Sequence, residues 1–127
     1  MDRMLVVGCG GFVGAVLRWI VVARLQAWLG GRFPFGTLAV NVLGCFAFGL
    51  LAGLALEGQA LSPNARLFLF VGVLGGFTTF SAFGYETLAL FEAGRSATAL
   101  LSAAANLVLS VTAVAAGRAL VLRLGTA

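Results

Sequence analysis

The sequence contains little charge and almost none of the side chains that carry catalysis or metal chemistry. Only 9% of its 127 residues are charged, and it has two cysteines, two prolines and no histidine. A water-soluble domain of this length needs far more charge to cover its surface. All eight basic residues are arginines spread singly along the chain, so no nucleic-acid-binding patch is predicted. Because there is no histidine and no nucleophile beside a base, no enzyme is predicted either.

Apolar residues, in contrast, make up 61% of the chain, and there are 18 glycines. Four apolar segments stand out, each close to the ~20 residues that a membrane-spanning helix needs. They cover residues 4–25, 35–56, 67–91 and 97–120. The sequence therefore predicts an all-α membrane protein whose single domain, residues 1–127, contains four transmembrane helices. Cys9 and Cys45 fall inside these segments and are expected to be small buried hydrophobes.

The third segment contains a stretch that suits a membrane helix poorly. Residues 75–81, GGFTTFS, place two adjacent glycines and three hydroxyl side chains in the middle of an apolar run. Glycine loosens a helix, and backbone groups released at bilayer depth need partners that lipid does not offer. In membrane proteins, such breaks turn backbone carbonyls toward cations and backbone N–H groups toward anions. We therefore predict that the third helix is broken mid-membrane and forms an ion site.

Two phenylalanines lie in or just after this stretch, and several hydrogen-bond donors accompany them. Phe80 and Phe83 are spaced i, i+3 and so share one helix face. Such a pair is ordinarily packing, but the edge of a phenyl ring is positive and can face a small anion. The side chains that can donate hydrogen bonds to such an anion are Asn41, Thr79, Ser81 and Ser110. None of these side chains carries a positive charge that would hold an anion tightly, which favours passage of the anion over its retention.

Polar side chains at membrane depth are costly unless they face the interior of a bundle. Asn106 and Ser110 are spaced i, i+4 on one face of the fourth helix. The alternatives for Asn106 are a place in an ion path and an interhelical hydrogen bond, worth about 0.6 kcal/mol on average. Arg18 either snorkels to the headgroups or lines a vestibule, where it raises the local anion concentration. Glu86 either pairs with an arginine or faces water.

The arginines are divided evenly between the two sides of the membrane. Four spans put both termini on one side. Arg3, Arg66, Arg118 and Arg123 fall on that side, and Arg18, Arg24, Arg32 and Arg95 fall on the other. The positive-inside rule therefore selects no orientation. A chain without a preferred orientation can insert both ways and pair antiparallel, although so few charges can also balance by chance.

Three motifs and one acidic position are the most specific features of the chain. They are GFVGAVLRW at 11–19, GTLAVNVLG at 36–44, GGFTTFSAF at 75–83, and Glu86. Together they resemble the Fluc family, also called CrcB, of bacterial fluoride channels, over essentially the whole chain. The resemblance implies a fluoride-selective channel of the bacterial inner membrane that lets cytoplasmic fluoride leave the cell. It also implies an antiparallel dual-topology homodimer in membrane lipid, with two pores built from both subunits.

The same resemblance implies roles for individual residues. Phe80 and Phe83 match the phenylalanines whose ring edges face fluoride, and Asn41 matches the pore asparagine. Three hydroxyl residues and one amide are also expected along the fluoride path: Thr79, Ser81, Ser110 and Asn106. Many relatives have a tyrosine where Asn106 falls. The vestibule arginine of the family corresponds to Arg18. Carbonyl oxygens of Gly75 and Thr78 are expected to hold a sodium ion, Na+, which is structural and is not transported.

Two other functions stay open from the residues alone. A small dual-topology proton-coupled exporter also has four helices and glycine-rich packing. It needs a carboxylate within the membrane, however, and the first, second and fourth segments have none, while Glu86 is poorly placed. A non-transporting anchor or assembly subunit is the second alternative. An anchor has no use for a broken helix that carries a phenylalanine pair, so both alternatives rank below the channel.

Overall fold

The protein is built from long helices joined by short turns. The structure, a computed structural model, describes residues 2–56 and 61–125, and no residue within those ranges lies in a β-strand. The elements are α1 (Arg3–Leu29), α2 (Phe35–Leu56), α3 (Pro63–Arg66), the π-helical stretch π1 (Leu67–Leu74), α4 (Gly75–Phe77), α5 (Phe80–Glu92) and α6 (Ser96–Gly125). Ser62 is the N-cap of α3, since its side chain accepts a hydrogen bond from the amide of Ala65.

Four helical stretches of the described chain are long and apolar enough to cross a membrane. They cover residues 3–29, 35–56, 63–92 and 96–125. The predicted all-helical membrane protein with four spans is therefore confirmed. The second span has the predicted bounds, and the other three extend beyond theirs. The first continues because residues 26–29 contain no helix breaker, and it ends before Gly30, whose φ of 76° suits glycine.

The first helix packs directly against the third span because glycines let the two backbones meet. A Cβ atom on Gly10 would lie 2.5 Å from the carbonyl oxygen of Phe68. A Cβ atom on Gly14 would lie 2.1 Å from the carbonyl oxygen of Val73. These contacts advance together along both helices, so the two helices run in the same direction. The small-xxx-small pattern of the first helix thus serves packing within the chain.

The second and fourth spans, α2 and α6, form the other parallel pair. Asn41 contacts Asn106 in the N-terminal half of both helices, over 3.0 Å. About two turns later, a Cβ atom on Gly49 would lie 2.2 Å from the carbonyl oxygen of Val114. The two contacts are separated by the same number of residues on each helix, so α2 and α6 keep a constant register. Polar side chains at matching positions of the two helices therefore meet.

The interior of the bundle holds small and polar side chains, and most large apolar side chains face outward. Val40 and Ala99 are fully buried, with 0% exposure. Among the residues that the structure describes, the buried polar ones are Thr37, Thr79, Ser102 and Asn106. An outward apolar surface suits lipid rather than water. The expectation that Cys9 is buried is wrong, because it lies on this outer surface, whereas Cys45 is half-buried.

Candidate ion pathway

The backbone of the third span leaves helical geometry at Thr78 and Thr79. Thr78 (φ −79°, ψ 158°) and Thr79 (φ −152°, ψ 112°) are extended, between the end of α4 and the start of α5. Their hydroxyl groups bond to the flanking helices: Thr78 donates to the carbonyl of Leu74 over 2.9 Å. The Thr79 hydroxyl accepts from the amide of Ala82 over 3.1 Å and caps α5. Backbone groups on both sides of this interruption are thus released from helical pairing.

The side chain of Asn41, from α2, takes the place of the missing helical partners. The amide N–H of Thr79 donates to Asn41 Oδ1 over 2.8 Å. Asn41 Nδ2 donates in return to the Thr79 carbonyl over 3.2 Å. A primary amide carries the same donor and acceptor as a peptide group, so it can satisfy both backbone groups of one residue. Because buried backbone groups need partners, Asn41 makes the extended conformation of Thr79 tolerable inside the bundle.

A second asparagine extends this network to the fourth span. Asn41 Nδ2 also donates to Oδ1 of Asn106 over 3.0 Å. Asn106 Nδ2 donates to the carbonyl of Ser102, four residues earlier on α6, over 3.1 Å. Only 6% of the surface of Asn106 is exposed. The hydrogen bonds therefore run from α6 through α2 to the interruption, and they tie the second, third and fourth spans together.

A cavity of about 520 Å³ lies beside the interruption. The rings of Phe80 and Phe83 line it; their centroids are 5.4 Å apart and their planes are inclined by 61°, an edge-to-face arrangement. Most other lining side chains are apolar, and none carries a positive charge. Asn41, Asn106 and Ser110 are among the few polar contributors. A small anion in this cavity would meet the two phenyl rings and a few hydrogen-bonding groups.

The predicted site residues fall into two groups by position. Eight of them line the cavity: Asn41, Gly75, Thr78, Thr79, Phe80, Phe83, Asn106 and Ser110. Ser81 and Arg18 are not part of the lining. The hydroxyl of Ser81 lies 3.3 Å from the hydroxyl of Thr79. Arg18 approaches from α1, with Nη1 3.4 Å from the carbonyl oxygen of Thr78. The two outlying residues therefore contact the interruption without facing the cavity.

Comparison with known proteins gives the family. Residues 5–118 match the family model described as CrcB-like protein, Camphor Resistance (CrcB). The chain belongs to the CrcB family. Three relatives that span nearly the whole chain share one name, Fluoride-specific ion channel FluC. CrcB proteins are therefore channels rather than enzymes, and the family resemblance of the sequence is confirmed.

These relatives of the CrcB chain come from three different bacteria. The protein of Thermus thermophilus is 54% identical over 111 residues, which cover 87% of this chain and 88% of the relative. The protein of Rhizobium meliloti is 46% identical over 120 residues, covering 94% of this chain and 96% of the relative. The protein of Clostridium novyi is 40% identical over 116 residues, 91% of each chain.

One polar contact in this CrcB chain lies outside the predicted site. Thr37 Oγ1 donates to Glu86 Oε1 over 2.8 Å, so this carboxylate oxygen meets a hydroxyl of α2. The other oxygen, Oε2, is buried, as is Oγ of Ser102. Thr37 and Ser102 are not among the predicted site residues. Spacing could have indicated them, because each stands four residues before an asparagine of the network and so shares its helix face.

Proposed function

We propose that this protein is a fluoride-selective ion channel that lets cytoplasmic fluoride leave the cell down its electrochemical gradient and so lowers fluoride toxicity. The observation that carries the proposal is the arrangement of Phe80, Phe83 and Asn41 around one cavity in a chain of the CrcB family. Relatives named as fluoride-specific channels support the choice of ion.

The fluoride path follows the cavity beside the interruption of the third span. Thr78 and Thr79 stand near the middle of that 30-residue span, which supports a break at mid-membrane. The ring edges of Phe80 and Phe83 offer fluoride a weak positive potential. The side chains along the path that can donate hydrogen bonds to fluoride are those of Asn41, Thr79 and Ser110, with Ser81 beside the Thr79 hydroxyl; Asn106 also lines the path. Fluoride is small enough to exploit these partners closely, and larger halides are not.

Fluoride binding along this path is weak, which suits conduction. The Nδ2 group of Asn41 already donates to the Thr79 carbonyl and to Asn106 Oδ1. An anion gains an N–H of Asn41 only by displacing one of these acceptors. A channel needs binding that is favourable enough for entry and weak enough for exit. Arg18 does not line the cavity, so it does not bind fluoride there. It contributes from the vestibule, where its positive charge raises the local anion concentration.

The location that fits this activity is the bacterial cytoplasmic, or inner, membrane. Neutral hydrogen fluoride crosses bilayers from acidic surroundings, dissociates in the near-neutral cytoplasm and leaves fluoride trapped there. A negative-inside potential then drives the anion outward, and the driving free energy is about 2.3 kcal/mol per charge per 100 mV. A passive pore in this membrane therefore suffices for export.

The functional unit is an antiparallel, dual-topology homodimer in membrane lipid. The division of arginines, four on each side of the membrane, supports insertion in both orientations. The cavity is also open on one side of the chain: Phe80 is 83% exposed, and its fellow lining residues Leu107 and Val111 are exposed as well. A second copy against this face would close the cavity into a pore.

A structural sodium ion is proposed at the carbonyl oxygens of Gly75 and Thr78. Neither oxygen keeps its usual helical partner four residues on. The amide of Thr79 donates to Asn41, and the amide of Ala82 donates to the Thr79 hydroxyl. Oxygen atoms are the ligands that hard cations prefer, so these two carbonyls fit sodium chemically.

Other features of the chain bear on this ion. Within residues 2–56 and 61–125, no group of three or more His, Cys, Asp or Glu side chains could hold a metal, so backbone oxygens are the available ligands. One chain offers two of them, and a second copy would supply two more. The Arg18 guanidinium donates a hydrogen bond to the carbonyl oxygen of Thr78. Because this group is positively charged and occupies the oxygen, we expect it to weaken cation binding there. Held between two copies, the ion would stabilise the assembly and would not be transported.

The proton-coupled exporter and the anchor subunit are not favoured. An exporter needs a carboxylate that exchanges protons with water on both sides of the membrane. Glu86, a carboxylate inside the third span, accepts a hydrogen bond from Thr37 and has one oxygen buried. An anchor gains nothing from a cavity bordered by an interrupted helix. Relatives named as channels also support passive conduction.

The test is fluoride efflux from proteoliposomes of the purified protein, followed with a fluoride electrode and started with a potassium ionophore. We expect rapid fluoride loss and no chloride loss from matched vesicles. Phe80→Ile removes a ring edge from the cavity and should slow fluoride loss about tenfold or more. Phe91→Ile, on the same helix but outside the cavity lining, should leave the rate unchanged. Folded protein that releases no fluoride would overturn the proposal.

A further inference from the structure

The two asparagines of the network cannot turn their amides around. Asn106 Nδ2 donates to the Ser102 carbonyl, which is only an acceptor, so Asn106 presents Oδ1 to Asn41. Asn41 meets that oxygen with Nδ2 and therefore turns its own Oδ1 to the amide of Thr79, which is only a donor. Turning either amide would set oxygen against oxygen or N–H against N–H. Two backbone groups, at Ser102 and at Thr79, thus dictate the direction of the whole network.

We propose that Asn106 is a positioning residue: its hydrogen bond to Asn41 anchors the Asn41 amide to α6, and Asn41 in turn holds Thr79 extended beside the cavity. Asn106 acts through Asn41 and does not bind the transported ion. The proposal deepens the function proposed above and rests on it, because the ion path is what Asn41 and Thr79 border.

The atoms that Asn106 presents support this role over direct contact with an anion. The atom that faces Asn41 is Oδ1, an acceptor, which repels an anion. The amide nitrogen is turned back to the carbonyl of Ser102 on its own helix. Asn106 is also 6% exposed, whereas Phe80, which lines the same cavity, is 83% exposed. Its position and its polarity both suit a residue that holds another residue in place.

The loss of Asn106 would act on Thr79 in two steps. Without its Oδ1, one N–H of the half-buried Asn41 has no acceptor in the bundle, and an unpaired donor that is shielded from water is costly. The Asn41 amide then keeps only its two hydrogen bonds to Thr79, so we expect it to rotate away from Thr79 more often. The Thr79 amide would open to exchange with solvent more often, and the donors along the ion path would lose their fixed placement.

Nuclear magnetic resonance of labelled protein in lipid can observe both steps without any transport. The chain has three asparagines, so 15N-asparagine labelling gives three side-chain amides: Asn41, Asn64 and Asn106. In Asn106→Leu we expect the Asn41 side-chain signals to shift while those of Asn64, which is exposed, stay in place. With 15N-threonine, the Thr79 amide should exchange with solvent about tenfold faster or more.

Two further variants make the result specific. Thr112→Val removes a hydroxyl from an exposed position of α6 and should change neither Thr79 exchange nor the Asn41 signals. Asn106→Asp keeps an acceptor for Asn41 but sets its second oxygen against the Ser102 carbonyl until the carboxylate is protonated. We therefore expect its Thr79 exchange to lie between wild type and Asn106→Leu near neutral pH, and to approach wild type as the pH falls.

Fluoride efflux separates the positioning role from ion binding. Asn106→Leu should slow efflux, and the same change in an Asn41→Ala background should have no additional effect. Multiplied effects in the double variant would mean that Asn106 touches the ion and would overturn the proposal, as would unchanged Thr79 exchange in Asn106→Leu. If Asn41→Ala does not fold, the exchange measurement decides. If wild-type protein moves no fluoride but Thr79 exchange still rises in Asn106→Leu, the channel function fails while the positioning role stands.

Discussion

Asn41 and Thr79 are joined by two hydrogen bonds that run in opposite directions. The Thr79 amide donates to Oδ1 over 2.8 Å, and Nδ2 donates to the Thr79 carbonyl over 3.2 Å. The two residues are 38 positions apart and belong to different spans. A side chain of α2 therefore supplies the hydrogen-bond partners of the Thr79 backbone, which a turn of helix supplies for other residues of the third span. Both the stability of the bundle and the shape of the cavity depend on this pair.

Asn41→Asp tests the Nδ2 half of the pairing. The carboxylate still accepts from the Thr79 amide, but its second oxygen faces two other acceptors, the Thr79 carbonyl and Asn106 Oδ1. Leaving buried groups unpaired costs about 1–3 kcal/mol, so we expect the free energy of unfolding to fall by about that much. Thermal melts in detergent measure the change. Asn64→Asp, at an exposed position of α3, is the matched control, and equal melting of the two variants would refute the pairing.

Gly14→Ala tests the close packing of the first helix against the third span. Its new Cβ would lie 2.1 Å from the carbonyl oxygen of Val73, so the backbones must separate. Overpacking of this kind costs about 1–3 kcal/mol. Gly8→Ala, on the same helix with nothing within 4 Å of its Cβ, should be neutral or stabilising by about 0.5–1 kcal/mol. The same melts compare the two, and a stable Gly14→Ala would show that the helices are not in this register.

Arg18→Gln tests the electrostatic role proposed for Arg18. Removing a charge beside the interruption lowers the local anion concentration, and salt screens that effect over a Debye length of about 10 Å at 0.1 M. We expect fluoride efflux to fall more at low ionic strength than in a high concentration of an impermeant salt. Arg24→Gln, at an exposed position of the same helix, should have a smaller effect. A loss that is the same at every ionic strength would assign Arg18 a packing role instead.

Sodium removal tests the proposed structural ion. A ligand that binds only the folded protein stabilises it by about 2.7 kcal/mol when present at 100 times its dissociation constant. We therefore expect a lower melting temperature when sodium is replaced by N-methyl-D-glucamine, with recovery on adding sodium back. Fluoride efflux under a sodium gradient should match efflux without one, because the ion is held and not carried. An identical melting temperature with and without sodium would rule the ion out.

Apolar length alone was enough to predict the four spans, and for α2 even its bounds. Composition also singled out residues 75–81, because glycines and hydroxyl groups are unusual in an apolar run. What composition could not supply was the partner of each polar group. The pairing of Asn41 with Thr79 and that of Thr37 with Glu86 join residues 38 and 49 positions apart. Such contacts depend on how helices pack and leave no periodic signal within either segment.

The role of Asn106 could not be predicted from the sequence either. The sequence left an ion path and an interhelical hydrogen bond as alternatives for this residue, and both remained possible because each requires a buried polar side chain. The structure adds the direction of its hydrogen bonds, from Asn106 Nδ2 to Ser102 and from Asn41 to Asn106 Oδ1. Direction depends on which atoms of neighbouring helices are acceptors, and that is a property of the packed bundle.

In the function proposed above, fluoride crosses this protein passively, without exchange for protons or passage of chloride. The most direct measurement is the reversal potential of the current through a planar bilayer that contains the purified protein, under a tenfold fluoride gradient. A passive fluoride pore predicts a reversal potential of about 59 mV, the value for one charge, at equal pH and equally under an imposed pH difference. A reversal potential that moves with the pH difference, or that follows a chloride gradient, would contradict a passive and fluoride-selective channel.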